Sequence, residues 1–221
     1  MQRLTGLDAG FLSMETPTSP MHVASLAVFD PSEVEGGWSI DQVKDVYGQR
    51  LHLAAPFRRR LVEVPFGLHH PLWIEDPDFD LDWHIRHIAV PAPGGPRELA
   101  ALAGHLVALP LDRSRPLWEM WVIEGLEHGH VAVLSKVHHA AIDGASGNEI
   151  IVATLDLEPD PPPTPQPEEP WVPDRVPSDP ELLTYAATSL ARQPFRVAKA
   201  SARTARSTLD RSRLPGRPGS T

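Results

Sequence analysis

Lys136-Val137-His138-His139-Ala140-Ala141-Ile142-Asp143-Gly144 decides how this chain is read. A histidine doublet follows directly on the apolar run His130 to Val137, with an aspartate four positions after its second member and a glycine next. Polar groups are thereby placed at the end of a strand, where sheets with flanking helices expose reactive side chains. Imidazole, with a reference pKa of about 6.5, is the natural general base near neutral pH. Asp143 is placed to cap a following helix or to hold the loop by local hydrogen bonds. Gly144 allows a backbone conformation that a side chain would penalise. From the residues alone, packing and hydrogen-bonding roles for the doublet stay open and are the commoner kind.

Other chemistries fit less well. His139 and Asp143 would give a metal two ligands, but a catalytic zinc site takes three from the protein and no further pair has a ligand spacing, so no metal is expected. His69-His70 stands in a proline-bounded loop with no identifiable partner. Gly144-Ala145-Ser146-Gly147 is not the Gly-x-Ser-x-Gly elbow of serine hydrolases, and no phosphate-loop pattern occurs.

Outward from the doublet, Trp118 to Ile123 and His130 to Val137 read as two strands joined by the glycine-bearing loop Glu124 to Gly129. Met21 to Phe29 reads as a buried strand ended at Asp30-Pro31. Ser39 caps a helix from Ile40 to Leu53, with Ile40, Val43, Tyr47, Leu51 and Ala54 on one face. Brief strands are expected at Leu61 to Val64, Leu72 to Ile74 and Ile85 to Val90. A helix from Arg97 to Leu109 closes at Pro110, and Gly147 to Leu157 suits another of about three turns.

The chain has 221 residues, 41% of them hydrophobic, which allows one core of ordinary size with appendages. A net charge of -9 argues against nucleic acid as a partner. Cysteine is absent, which removes thiolate nucleophiles and disulfides. Pro159 to Pro180 holds ten prolines in 22 residues and reads as a stiff extended linker. Residues 181–221 carry eight basic and two acidic side chains, against twelve and 27 in residues 1–180. Arg192, Arg196, Lys199, Arg203 and Arg206 recur at spacings of 4, 3, 4 and 3, one stripe of a helix. That stripe is either a solvated face or a contact for anionic lipid headgroups. The layout is therefore 1–158, a domain; 159–180, a linker; and 181–221, a basic helical segment. With no apolar run of spanning length, a cytoplasmic protein is expected, soluble or resting on the inner membrane or lipid droplets.

In order and spacing the motifs resemble the bacterial wax ester synthase/diacylglycerol acyltransferases. They are Leu7-Asp8-Ala9-Gly10-Phe11-Leu12, Pro20-Met21-His22, Phe57-Arg58-Arg59-Arg60-Leu61, Asp78-Phe79-Asp80-Leu81, Pro110 through Trp118, and Lys136 through His139 with Asp143-Gly144. The resemblance runs almost continuously to about Leu157. It implies an α+β sandwich of the chloramphenicol acetyltransferase type: a half-domain with a mixed sheet and flanking helices, followed by the linker and the basic helix. It also implies transfer of a long-chain acyl group from acyl-CoA, a co-substrate and no bound cofactor, to diacylglycerol or a long-chain alcohol. By motif position His139 would be the base, His138 its support, and Asp143 with Gly144 the loop that holds it. Pro116, Leu117 and Trp118 match a second motif with a structural role. Family members are about twice as long, with the site between two halves. A complementary C-terminal half is thus the expected partner, and this half alone is expected to be close to inactive, because one oxyanion donor is worth about 100- to 1,000-fold in rate. A noncatalytic lipid- or membrane-binding module is the alternative, and a metal hydrolase on His139 and Asp143 a third.

Overall fold

The computed structural model describes residues 1–142, 156, 161–167 and 169–191. They fall in two compact units, Met1–Glu63 with His70–Val176, and Val64–His69 with the chain from Pro177 onward. In chain order the elements of the first are β1 (Gln2–Arg3), α1 (Gly6–Met14), β2 (His22–Phe29), α2 (Ile40–Arg50), β3 (Arg59–Val62), β4 (Leu72–Glu75), α3 (Leu81–His84), β5 (Ile85–Ala89), α4 (Pro96–Ala108), β6 (Trp118–Glu124) and β7 (Val131–His138). A small antiparallel sheet has the order β1-β4-β3. The main sheet, β2-β7-β6-β5, is mixed: β5 and β6 are parallel and the other pairs antiparallel.

The period of two along a strand divides the main sheet between two cores. On one face Trp118, Met120, Val122, Val131 and Val137 pack with Ala9 and Leu12 of α1, Tyr47 of α2 and Trp73 of β4. On the other, Ile123, Ala132 and Leu134 pack with Leu99 and Leu106 of α4. Both major helices begin where their caps dictate. Ser39 accepts the Gln42 N–H while the Gln42 side chain returns to the Ser39 N–H, and α4 opens on Pro96 with Glu98 bound back to the Gly95 N–H.

The helix expected to Leu53 ends as an α-helix at Arg50 and continues as a 3-10 turn, Leu51–Leu53. The strand expected at Leu61 to Val64 lies two residues earlier, because Pro65 biases Val64 away from the ladder and Arg59 pairs with Glu75, in register and by a 2.6 Å ion pair. β2 is a strand as expected, but an edge strand and not a buried one: Val23, Leu26, Val28 and Phe29 are 42–51% exposed. Apolar density marks a strand without saying what covers it. The Leu7 to Leu12 motif folds as α1, its Thr5 cap and Asp8 forming a reciprocal box. The proline-rich stretch, where described, has no regular structure before Asp179 but is tied down: Trp171 Nε1 donates to Glu75 at 2.9 Å, and Asp174 exchanges two hydrogen bonds with the Glu75 backbone. The helix expected at Gly147 to Leu157 and the basic stripe lie outside the described residues, apart from Asp156, which pairs with Arg50 at 2.6 Å.

In the second unit a helix occupies 179–191, entered at Ser178, whose N–H and hydroxyl both donate to the Glu181 carboxylate. His69, left without a partner in the sequence reading, meets Ser189 Oγ at 3.0 Å and the edge of Tyr185.

Lys136, fully buried on the α4 face of β7, pairs with buried Glu119. Its ammonium donates to the carbonyls of Leu106 and Leu109 at 2.9 and 2.8 Å, satisfying the orphan acceptors at the end of α4. Lys136→Met leaves the Glu119 carboxylate buried and alone, and is expected to cost about 3–5 kcal/mol in urea unfolding at neutral pH. A loss below about 1 kcal/mol would show that the pair bears no such weight.

Candidate active site

His138 ends β7 and is fully buried. Its N–H donates to the Leu117 carbonyl at 3.0 Å, and its Nδ1 accepts the Ala140 N–H at 2.9 Å, closing the 3-10 turn His139–Ala141. Half-buried His139 opens that turn. Its N–H donates to the Met21 carbonyl at 2.8 Å, and its ring stacks on Phe11 of α1, centroids 4.9 Å apart and planes at 19°. The two rings of the doublet thus have different surroundings, one enclosed and one resting on an aromatic face.

Around His138 lies a charged pair. Glu15 Oε1 is 3.5 Å from His138 Nε2 and accepts the Met21 N–H at 3.2 Å. Its Oε2 takes both Nε and Nη2 of Arg113, at 2.9 and 2.6 Å. Burial pushes the His138 pKa down to about 4, against the Glu15 charge, which favours the protonated ring. Burial would raise Glu15, but the hydrogen bonds from Arg113 and Met21 outweigh it and hold the carboxyl below its usual range.

Pro116, Leu117 and Trp118 are core residues. Trp118 donates from Nε1 to the Phe57 carbonyl at 2.9 Å, accepts His84 Nδ1–H on its own carbonyl at 2.7 Å, and stacks on the His84 ring at 4.4 Å. Burial lowers His84 to about 4 as well, opposed by that hydrogen bond. The motif meets the doublet through Leu117, whose carbonyl fixes the end of β7. A cavity of about 90 Å³ beside the turn is lined by Arg3, Asp8, Arg59, Trp73, Ala140 and Ala141, among others.

Residues 4–217 match the family described as the wax ester synthase/diacylglycerol acyltransferase catalytic domain. The chain belongs to this family. A Mycobacterium tuberculosis protein with the provisional name diacylglycerol O-acyltransferase is 42% identical over 214 residues, 97% of this chain and 44% of its own length. Another from the same organism, tgs3, is 39% identical over 83% of this chain and 66% of its own. The solved wax ester synthase/diacylglycerol acyltransferase from Marinobacter aquaeolei superposes with a TM-score of 0.61 at 35% identity, covering 75% of this chain and 39% of that one. The chain thus spans less than half the length of the first and third of these. The epimerization domain of the third module of tyrocidine synthetase B, at 15% identity and a TM-score of 0.53 over 69% of this chain, shares the fold alone. The architecture is the α+β, chloramphenicol acetyltransferase-like sandwich of the acyltransferase family and of such domains.

Of the site residues read from the sequence, the structure brings together His138, His139 and Leu117 with its neighbours Pro116 and Trp118. Asp143 and Gly144 lie outside the described residues. Among the described residues no three His, Asp or Glu side chains are grouped as metal ligands. The sequence reading missed Glu15, Arg113 and Phe11 as members of the site. Phe11 and Arg113 stood inside quoted motifs and Glu15 five residues before Pro20, but 98 positions separate Glu15 from Arg113 and no local pattern links them.

Two neutral buried histidines make stability depend on pH. Unfolded, His84 and His138 titrate near the usual value of about 6.5; folded, near 4. Between these values the unfolded chain binds more protons, so stability falls as pH drops through that window. Glu15, lowered in the fold, adds a loss in the same direction below the ordinary carboxyl range. Urea midpoints should decline steadily from about pH 6.5 to about pH 4; a flat profile would contradict the buried neutral state of both rings.

Proposed function

We propose that this chain supplies the base-bearing half of an acyl-CoA-dependent O-acyltransferase. Membership of the family supports the reaction class, and the observation that carries the residue assignment is His139, fixed by its backbone on Met21 and by its ring on Phe11. His139 removes the proton from the acceptor hydroxyl as the oxygen attacks the thioester carbonyl. The new bond is an ester C–O, the bond lost is the thioester C–S, and the proton leaves with the coenzyme A thiolate. The acceptor is diacylglycerol, giving triacylglycerol, or a long-chain alcohol, giving a wax ester. His138 supports the turn from within, and Asp143 with Gly144 holds the loop beyond it. The noncatalytic lipid-binding alternative is the weaker reading, since the matching family is a catalytic domain.

A complementary C-terminal half is the proposed partner. Among the described residues β2 has no outer partner; it begins opposite His138 at His22, and its exposed Leu26 and Val28 on one face and Val23 and Phe29 on the other support a covering element there. Among the described residues no helix is long and apolar enough to cross a membrane. The stripe from Arg192 to Arg206 is the proposed contact with the anionic surface of the inner membrane or a lipid droplet.

The assay combines this chain with a polypeptide equivalent to the C-terminal part of its relatives, palmitoyl-CoA as donor, and dioleoylglycerol or hexadecanol as acceptor. Ester formation is expected, and His139→Ala should lower the rate by at least about 100-fold with the circular dichroism spectrum unchanged. No transfer by the unaltered pair would overturn the reaction class; full activity in the His139→Ala chain would overturn the assignment of the base.

A further inference from the structure

Beyond the histidine motif, the inner ring faces groups far away in the chain. We infer that Glu15, locked by Arg113, is a positioning residue that fixes the protonated nitrogen of His138 and, through Met21, the backbone that presents His139.

His138 Nδ1 accepts the Ala140 N–H at 2.9 Å, so its lone pair is committed. A neutral imidazole carries one N–H, which must then sit on Nε2. That nitrogen is buried, makes no hydrogen bond among the described residues, and faces the Glu15 carboxylate across 3.5 Å to Oε1. Reversing the ring's proton would set an N–H against the Ala140 N–H and a lone pair against a carboxylate. The amide on one side and the carboxylate on the other therefore select the same tautomer. Burial, which lowers the His138 pKa to about 4, keeps the ring neutral through the range in which a base would work.

Glu15 is itself held. Arg113 grips Oε2 with two nitrogens and also donates from Nη2 to the Leu12 carbonyl at 2.7 Å, tying the carboxylate to α1, whose Phe11 lies under the His139 ring. The oxygen facing His138 also accepts the Met21 N–H, and the Met21 carbonyl accepts the His139 N–H. One carboxylate therefore bears on both histidines, on the first through its ring and on the second through one peptide unit. Among the described residues it forms no hydrogen bond or ion pair with the His139 ring, so its role is to orient and not to exchange protons with substrate. Partners that orient an essential imidazole in this way are worth about 10- to 100-fold in metal sites, where the effect has been measured.

The inference rests on the acyltransferase reading only for its kinetic arm. The spectroscopic arm uses this chain with nitrogen-15 in its histidines. His138 is expected to show a protonated Nε2, a bare Nδ1, and an Nε2 proton shifted downfield by the carboxylate. Glu15→Gln, which keeps the shape and removes the charge, should move that proton upfield; Glu15→Asp, one methylene shorter, should fall between. In the active pair, Glu15→Gln should lower kcat about tenfold with the KM for acyl-CoA unchanged within about twofold. A proton on Nδ1 in the unaltered chain, or an Nε2 proton and kcat both indifferent to Glu15→Gln, would overturn the inference, the first even if the variants fail to fold. The expected spectra without any acyl transfer would support the clamp and count against the reaction class instead.

Discussion

Successive residues of a strand point to opposite faces, and at the end of β7 this rule splits the histidine doublet. His138 falls in the same alternate set as Lys136 and Leu134, on the face covered by α4. His139, one step on and already in the turn, has its ring on Phe11 of α1, which covers the other face. A slip of one residue in the register of β7 against β2 and β6 would exchange the two, burying the outer ring and freeing the inner one. The register is secured by eight pairs with β2 and six with β6, running to His22 opposite His138 and Trp118 opposite Val137.

The face that receives His138 is unusually polar for a sheet interior, and its polarity follows from α4. A helix ends with carbonyls that lack intrahelical partners. Here they are met from the sheet below: Lys136 takes Leu106 and Leu109, and His22 Nε2 meets the Val107 carbonyl at 2.8 Å. Glu119 then neutralises Lys136, and two residues further along β7 Glu15 with Arg113 serves His138. Each buried charge has an opposite charge against it and each carbonyl a donor, the condition under which such groups are tolerated in a core. The polar layer seats the helix end and the inner histidine together.

What the sequence disclosed follows from the range of the interactions involved. The α2 face, with Tyr47 and Ala54 buried and Ile40, Val43 and Leu51 packed against them, was legible because helical periodicity is local. So was the hairpin of β6 and β7, whose Gly125 and Gly129 adopt the positive φ their loop demands. β2 was found but given the wrong surroundings, since nothing in His22 to Phe29 says whether a second strand lies outside it. Glu15, Arg113 and the Ser189 partner of His69 were invisible because each contact spans 98 residues or more. At the site, motif order pointed to His139, and geometry then supplied its supports.

Orientation and substrate capacity are separable in this chain. Among the described residues His139 is held by the Met21 carbonyl and the Phe11 ring, with Glu15 and Arg113 behind them. The cavity beside the turn, by contrast, is about 90 Å³ and lined about equally by polar and apolar groups, whereas pockets for small ligands run to roughly 300–1,000 Å³ and are mostly apolar. A long acyl chain does not fit such a space. Exposed apolar side chains do flank β2, Leu26 and Val28 on one face and Val23 and Phe29 on the other, but they border an open edge and not an enclosure. An enclosure forms only when something closes over that edge, and the closing element would then set the length of acyl chain admitted. On the proposed function, Glu15 and Arg113 therefore bear on how the histidines are held, and Val23, Leu26, Val28 and Phe29 on what covers the edge.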